Sequence, residues 1–151
     1  MTSRAAGGPL IVLGGALAVL PALAWYSAHA PSGRVVATGL AAAGELWLLP
    51  ALGAVAALAG AALLAARPGG GRPVARWAGP LVIVAAGLAM VWAIRAGADP
   101  PVDLTVRDGG TDHMLSASID LEPAAIAAPI VAGALVALGA LLAVAGSGRR
   151  R

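Results

Sequence analysis

The stretch Arg67-Pro68-Gly69-Gly70-Gly71-Arg72-Pro73-Val74-Ala75-Arg76-Trp77 divides the chain. It holds three arginines, two prolines and three consecutive glycines, with an uncharged apolar run on each side: Leu46 to Ala66 before it, Ala78 to Ile94 after it. A helix running through three glycines between two prolines loses chain entropy at each glycine and a hydrogen bond at each interior proline. The flanking runs reach or approach the roughly 17–25 residues that a helix needs to cross a bilayer. The stretch therefore reads as a basic loop between two membrane spans, and it orients everything else.

Composition agrees. Of the 151 residues, 60% are hydrophobic and 11% charged, and the mean hydropathy is +0.88. Soluble domains carry about 45–50% apolar and about 25% charged residues, so lipid is the solvent that accommodates this chain. With no cysteine, disulfides, thiolate metal sites and cysteine nucleophiles are excluded. Lys, Phe, Asn and Gln are absent while Ala, Gly and Arg abound, the bias of a GC-rich bacterial genome. A net charge of +3 and a pI near 11.1 would suit a nucleic-acid binder. The placement of the charges assigns them to membrane topology instead, and no nucleic-acid partner is expected.

Working outward from the basic loop, span two runs from Leu46 to Ala66, with a kink expected at Pro50, and span three from Ala78 to about Arg95. Span one covers Pro9 to about Ala28, kinked at Pro21 and closed by Trp25-Tyr26; span four covers Pro123 to Ala145. A secretory signal cut after Ala28-His29-Ala30 is the rival reading of span one. Pro31 follows directly, and the apolar run exceeds the roughly 7–15 residues of a signal core, so an uncleaved span is favoured. Gly53, Ala57, Gly60 and Ala61 leave little side chain on span two and let a neighbouring backbone approach, within the chain or in a partner.

Four spans place both termini on one side. That side holds Arg4, Arg67, Arg72, Arg76, Arg149, Arg150 and Arg151 and no carboxylate. The other holds Arg34, Arg95 and Arg107 with all seven acids: Glu45, Asp99, Asp103, Asp108, Asp112, Asp120 and Glu122. The positive-inside rule then puts both termini and the basic loop in the cytoplasm of a multi-pass plasma-membrane protein. The aromatic residues fit that register as an interface belt, with Trp25, Tyr26, Trp47 and Trp92 outside and Trp77 inside.

The outer loop 96–122 is the one sizeable polar stretch. Val102–Arg107 and Leu115–Leu121 alternate apolar and polar around the turn-rich Asp108-Gly109-Gly110-Thr111-Asp112, which predicts a β-hairpin. Ser32-Gly33 marks a turn in the first connection, Arg34–Ala37 reads as a short strand able to join that hairpin, and Thr38 as an N-cap leading into span two. The expected class is thus an all-α membrane protein of four helices, termini inside, with a small extracytoplasmic hairpin between helices three and four.

Candidate sites are few. Glu45 is the acid nearest an apolar span and Arg95 ends span three, so the two can pair across neighbouring outer helix ends. Solvation of Glu45 beside Trp47 and snorkelling of Arg95 to the headgroups are the simpler readings. His29, His113, Asp108 and Asp112 show no recognised metal-ligand spacing, and no nucleophile elbow accompanies the outer Ser, His and Asp residues. Gly69–Gly71 follows a membrane helix and lacks a P-loop lysine, so phosphate cradling is not expected. Neither a cofactor nor a catalytic residue is assigned. The spans contain no ionisable residue away from their ends, whereas pumps and ion-coupled carriers usually need one.

Pro21, Trp25-Tyr26, Val36-Ala37-Thr38-Gly39-Leu40, the alanine-rich second span and the short arginine-rich loop together resemble an actinobacterial family of four-helix membrane proteins encoded beside tryptophan-biosynthesis genes. The resemblance covers Pro9 to Ile94 and the last span, while Asp99–Glu122 does not map onto it. It implies a class and a lineage and carries no catalytic residues. The function expected is that of a non-enzymatic accessory or scaffold protein, packed in the bilayer with a membrane partner or as a homo-oligomer. The alternative is a small transporter or channel subunit with Glu45 and Arg95 at its outer mouth.

Overall fold

A computed structural model describes residues 3–30, 33–66, 71–100, 105–108, 111–114 and 119–147. Its elements are helix α1 (Gly7–Val19), strands β1 (Ala24–Ala30) and β2 (Gly33–Thr38), the single turn α2 (Gly39–Ala42), helices α3 (Leu48–Ala65) and α4 (Gly71–Ala98), strands β3 (Thr105–Asp108), β4 (Thr111–Met114) and β5 (Ile119–Leu121), and helix α5 (Pro123–Gly146). The chain is mostly helical, as expected, and beside the β3–β4 hairpin it carries a three-stranded antiparallel sheet in the order β2-β1-β5.

Span one is the largest correction. The helix ends at Val19 and passes through a 3-10 turn, Leu20–Ala22, into strand β1 instead of continuing to Ala28. Pro21 is the cause, because its ring cannot donate to the carbonyl four residues back and clashes with it, ending the helix where a kink was expected. The Trp25 indole Nε1 then donates to the Leu20 carbonyl at 2.7 Å, and the Leu23 N–H donates to the same oxygen, so a freed helix-end acceptor is satisfied without another turn of helix. Hydropathy does not register the change, since a buried strand is as apolar as a helix.

The segments Gly44–Ala65, Pro73–Ala98 and Pro123–Gly146 are each long and apolar enough to cross a membrane, with mean hydropathies of 2.2, 2.0 and 2.4. The first helix, Gly7–Ala22, is shorter; at about 1.5 Å per residue it reaches roughly 24 Å, against a hydrocarbon core of roughly 30 Å. Pro50 lies in the first turn of α3, directly after the 3-10 segment Gly44–Trp47, where its missing N–H costs α3 no hydrogen bond of its own; Pro80 and Pro129 are helix-interior prolines. Helix α4 already begins at Gly71, so Arg72, Arg76 and Trp77 are helical rather than loop residues.

The helices pack α1 on α3, α4 on α5, α3 on α4 and α1 on α5. Glycine sets the closest approaches. A Cβ on Gly14 would lie 2.6 Å from the Gly53 carbonyl oxygen and one on Gly60 2.6 Å from that of Gly7, which makes α1 and α3 antiparallel backbone neighbours. Gly79 and Gly139 meet in the same way between α4 and α5, and Gly146 lies against the Arg76 backbone. Gly53 and Gly60 thus do what the sequence predicted of them, inside the chain; Ala61 is exposed. Alanine and leucine fill most of the interior (Leu10, Leu17, Ala56, Leu63, Ala89, Ala132, Leu135), while other apolar side chains such as Val12, Leu58, Val84, Ile130 and Val144 face outward. That distribution suits helices whose outer surface meets lipid tails.

The sheet caps one end of the bundle. Arg34–Ala37 forms a strand as expected, and its partner is β1, part of the stretch expected to be helix. Thr38 accepts a hydrogen bond from the Ala41 N–H and caps α2, which a 3-10 segment, Gly44–Trp47, joins to α3. The expected hairpin is re-paired. Strand β3 pairs with β4 from Thr105↔Met114 to Asp108↔Thr111, and Ile119–Leu121 pairs with β1, as Ala28↔Ile119 and Tyr26↔Leu121. Alternation identifies strands without naming their partners; here the Trp25 carbonyl accepts from the Glu122 N–H and draws β5 to β1. Residues 102–104, 109–110 and 115–118 of the expected hairpin lie outside the described residues.

Candidate functional site

Two polar constellations stand at the sheet end of the bundle. The first is a cleft of about 330 Å³ lined by Ala42–Leu46 of the connection into α3 and by Trp92, Arg95, Ala96 and Asp99 at the end of α4. Glu45 and Arg95, which the sequence places at neighbouring outer helix ends, therefore line one cleft. Among the described residues they form no ion pair within 4 Å. Instead the Arg95 guanidinium lies over the Trp92 ring, 5.5 Å from its centroid, which fixes its direction. Asp99 completes the set: its N–H donates to the Arg95 carbonyl, so the helical backbone carries Asp99 round to within one turn of Arg95. The sequence reading ended span three at Arg95 and missed this residue. The available signal was the i, i+4 spacing of Arg95 and Asp99, with Pro100 the first residue beyond Arg95 that a helix could not continue through.

The second constellation is the outward face of the sheet. Strand pairing aligns Ser27 with Asp120 and His29 with Arg34, so all four project from one face. The Arg34 Nη2 ion-pairs with the Glu122 carboxylate and donates to the Ser27 Oγ at 3.4 Å. Hydrogen bonding from Ser27 and from Arg34 holds the Glu122 carboxyl below the usual carboxylate range. His29 and Asp120 approach to 3.8 Å, both in contact with solvent. The opposite face turns to the bundle, where the Tyr26 hydroxyl donates to the Ala96 carbonyl at 2.9 Å and burial pushes its own pKa up. The Ser27–Arg34–Glu122 grouping was not legible in the sequence, because it joins residues nearly a hundred positions apart that only strand pairing makes neighbours.

The belt residues divide. Trp47 and Trp77 are exposed, as interfacial aromatics should be, and Trp92 is partly buried beside Arg95. Trp25 and Tyr26 are both 0% exposed, packed against the chain's own core, where a Cβ on Gly39 would lie 3.0 Å from the Trp25 ring, so they are not lipid-facing belt residues. Of the topology arginines, Arg72 and Arg76 lie in α4 at the end opposite the sheet, whereas Arg67, Arg149, Arg150 and Arg151 fall outside the described residues. No family model, no curated protein and no solved structure matches the chain.

Proposed function

We propose that the protein is a non-enzymatic accessory protein of the plasma membrane that crosses the bilayer four times and offers its sheet end to a membrane-protein partner. Arg72 and Arg76 lie at the end opposite the sheet and Glu45, Asp99, Asp120 and Glu122 at the sheet end; with the arginines that the sequence puts in the same loop and tail, the positive-inside rule supports cytoplasmic termini and an outer sheet. The actinobacterial lineage suggested by the resemblance belongs to this proposal. One observation carries it: Gly14 with Gly53, Gly7 with Gly60 and Gly79 with Gly139 are close approaches made within the chain, while Arg34, His29 and Asp120 on the sheet's outer face are open to solvent and available to a partner. The test is a mild-detergent pull-down from the native membrane with mass spectrometry of what is retained. Its control replaces residues 103–116 by a short Gly-Ser linker and spares Ile119–Leu121, which β1 needs. A stoichiometric partner lost with the hairpin supports the reading; a protein that emerges alone sinks it.

The second reading, a small transporter or channel subunit, draws on the meeting of Glu45 and Arg95 in one cleft. The bundle axis beneath is filled by Leu49, Leu63, Val82 and Leu135, all fully buried, which argues against a polar path. Solute flux into vesicles abolished by Glu45→Gln would reverse the ranking.

A further inference from the structure

The cleft combines groups that no single ion satisfies. Glu45 and Asp99 together would repel an anion, and the Arg95 guanidinium would repel a metal ion. Among the described residues no three His, Asp or Glu side chains cluster as a metal site. We infer that the cleft binds an ammonium–phosphate zwitterion of the ethanolamine-headgroup type: Glu45 and Asp99 take the ammonium, and Arg95, held over Trp92, takes the phosphate.

Three further observations point the same way. The volume, about 330 Å³, lies at the small end of ligand pockets, the size for a headgroup rather than a whole lipid. Asp99 sits one turn beyond Arg95 at the C-terminal end of α4, so this helix end brings both signs of charge to the cleft. The cleft also lies at the ends of two spanning helices, with Trp92 in its wall and the exposed Trp47 next in sequence to its Leu46, the level at which headgroups sit. A guanidinium presents a planar fork of donors that matches phosphate, while a primary ammonium brings three N–H groups, enough for both carboxylates.

The zwitterion has two sources, a membrane phospholipid or a free solute, and one titration separates them. The full chain, purified in a neutral sugar detergent, is titrated with phosphatidylethanolamine, phosphatidylcholine and phosphatidylglycerol and read by native mass spectrometry, with soluble phosphoethanolamine as competitor. Phosphatidylethanolamine should bind about tenfold more tightly than phosphatidylglycerol, and Arg95→Gln should lose about tenfold of that affinity, the scale of a charge-assisted hydrogen bond. The Glu45→Gln/Asp99→Asn variant should reverse the preference toward phosphatidylglycerol. Phosphatidylcholine, without ammonium N–H donors, should bind more weakly than phosphatidylethanolamine. Competition by soluble phosphoethanolamine assigns recognition to the zwitterion alone, and binding of the lipid without competition assigns it to the membrane lipid. Equal binding of the ethanolamine and glycerol lipids by the wild type, or an unchanged preference in the double variant, overturns the inference. The three side chains are exposed, so each variant should keep the wild-type elution volume and melting temperature. The titration measures neither partner nor flux, and failure of the accessory or transporter reading leaves it standing.

Discussion

Single side chains help to tie the sheet to the bundle. The Tyr26 hydroxyl reaches the last turn of α4 through the Ala96 carbonyl, a contact between residues 70 positions apart. Tyr26→Phe should cost about 1 kcal/mol, the usual net value of one hydrogen bond, read as a lower melting temperature in detergent with no change in helical content. Trp25→Ala should cost more, about 3–5 kcal/mol, because it removes a fully buried ring together with the cap on Leu20. Glu122 predicts a pH dependence. Its carboxyl titrates lower in the folded protein than in the unfolded chain, so its contribution is complete above its ordinary value of 4.5 and disappears as the pH falls through the lower folded value. In paired melts of wild type and Glu122→Gln, the gap between melting temperatures should be largest near neutrality and close below pH 4.5. A gap that stays constant down the acid range would refute the linkage. Arg34 is more than half exposed, so the effect is small.

Between elements, backbone contact decides. Gly14 and Gly53 sit where α1 and α3 touch, and Gly15, one position along the same helix, meets nothing within 4 Å. Gly53→Ala should destabilise by about 1–3 kcal/mol through overpacking against the Gly14 carbonyl and the Ala18 backbone. Gly15→Ala should be neutral or stabilise by up to about 1 kcal/mol through helix propensity. Melting of the two variants side by side in one detergent checks the pair, and equal effects would mean that α1 and α3 do not approach in this way. The same contact explains a limit of the sequence reading. Gly53 and Gly60 announced a close approach, and nothing in their spacing said whether α1 or another protein would make it.

The whole molecule has a polarity, with the sheet at one end and Arg72 and Arg76 at the other. Since the chain has no native cysteine, the orientation can be read directly. In intact cells, a single cysteine at Asp120 should react with a membrane-impermeant maleimide, and one at Ser147 should react only after the membrane is opened. Labelling of both positions in intact cells would break the proposed arrangement of four spans with cytoplasmic termini. The mature chain should retain β1, because a cut after Ala30 would remove the strand that both β2 and β5 pair with.

Taken alone, the sequence determined what depends on solvent and on nearest neighbours along the chain. Its composition calls for lipid, the apolar runs after Leu46, Ala78 and Pro123 mark three helices long enough to cross a membrane, Thr38 caps a helical turn, and Arg34–Ala37 is a strand. These are set by hydropathy, local hydrogen bonding and the period of the side chains, all of which operate within a few residues. Only the tertiary structure decided where α1 stops, which strand β5 joins, and that Glu45, Arg95 and Asp99 share a cleft while Ser27, Arg34 and Glu122 form a second cluster. The physical reason is the same in each case. An apolar stretch such as Leu23–Ala28 is buried equally well as helix or strand, and the choice falls to partners distant in sequence: the Leu20 carbonyl that accepts from Trp25, the α4 carbonyl that accepts from Tyr26, and the two strands that complete the hydrogen bonding of β1.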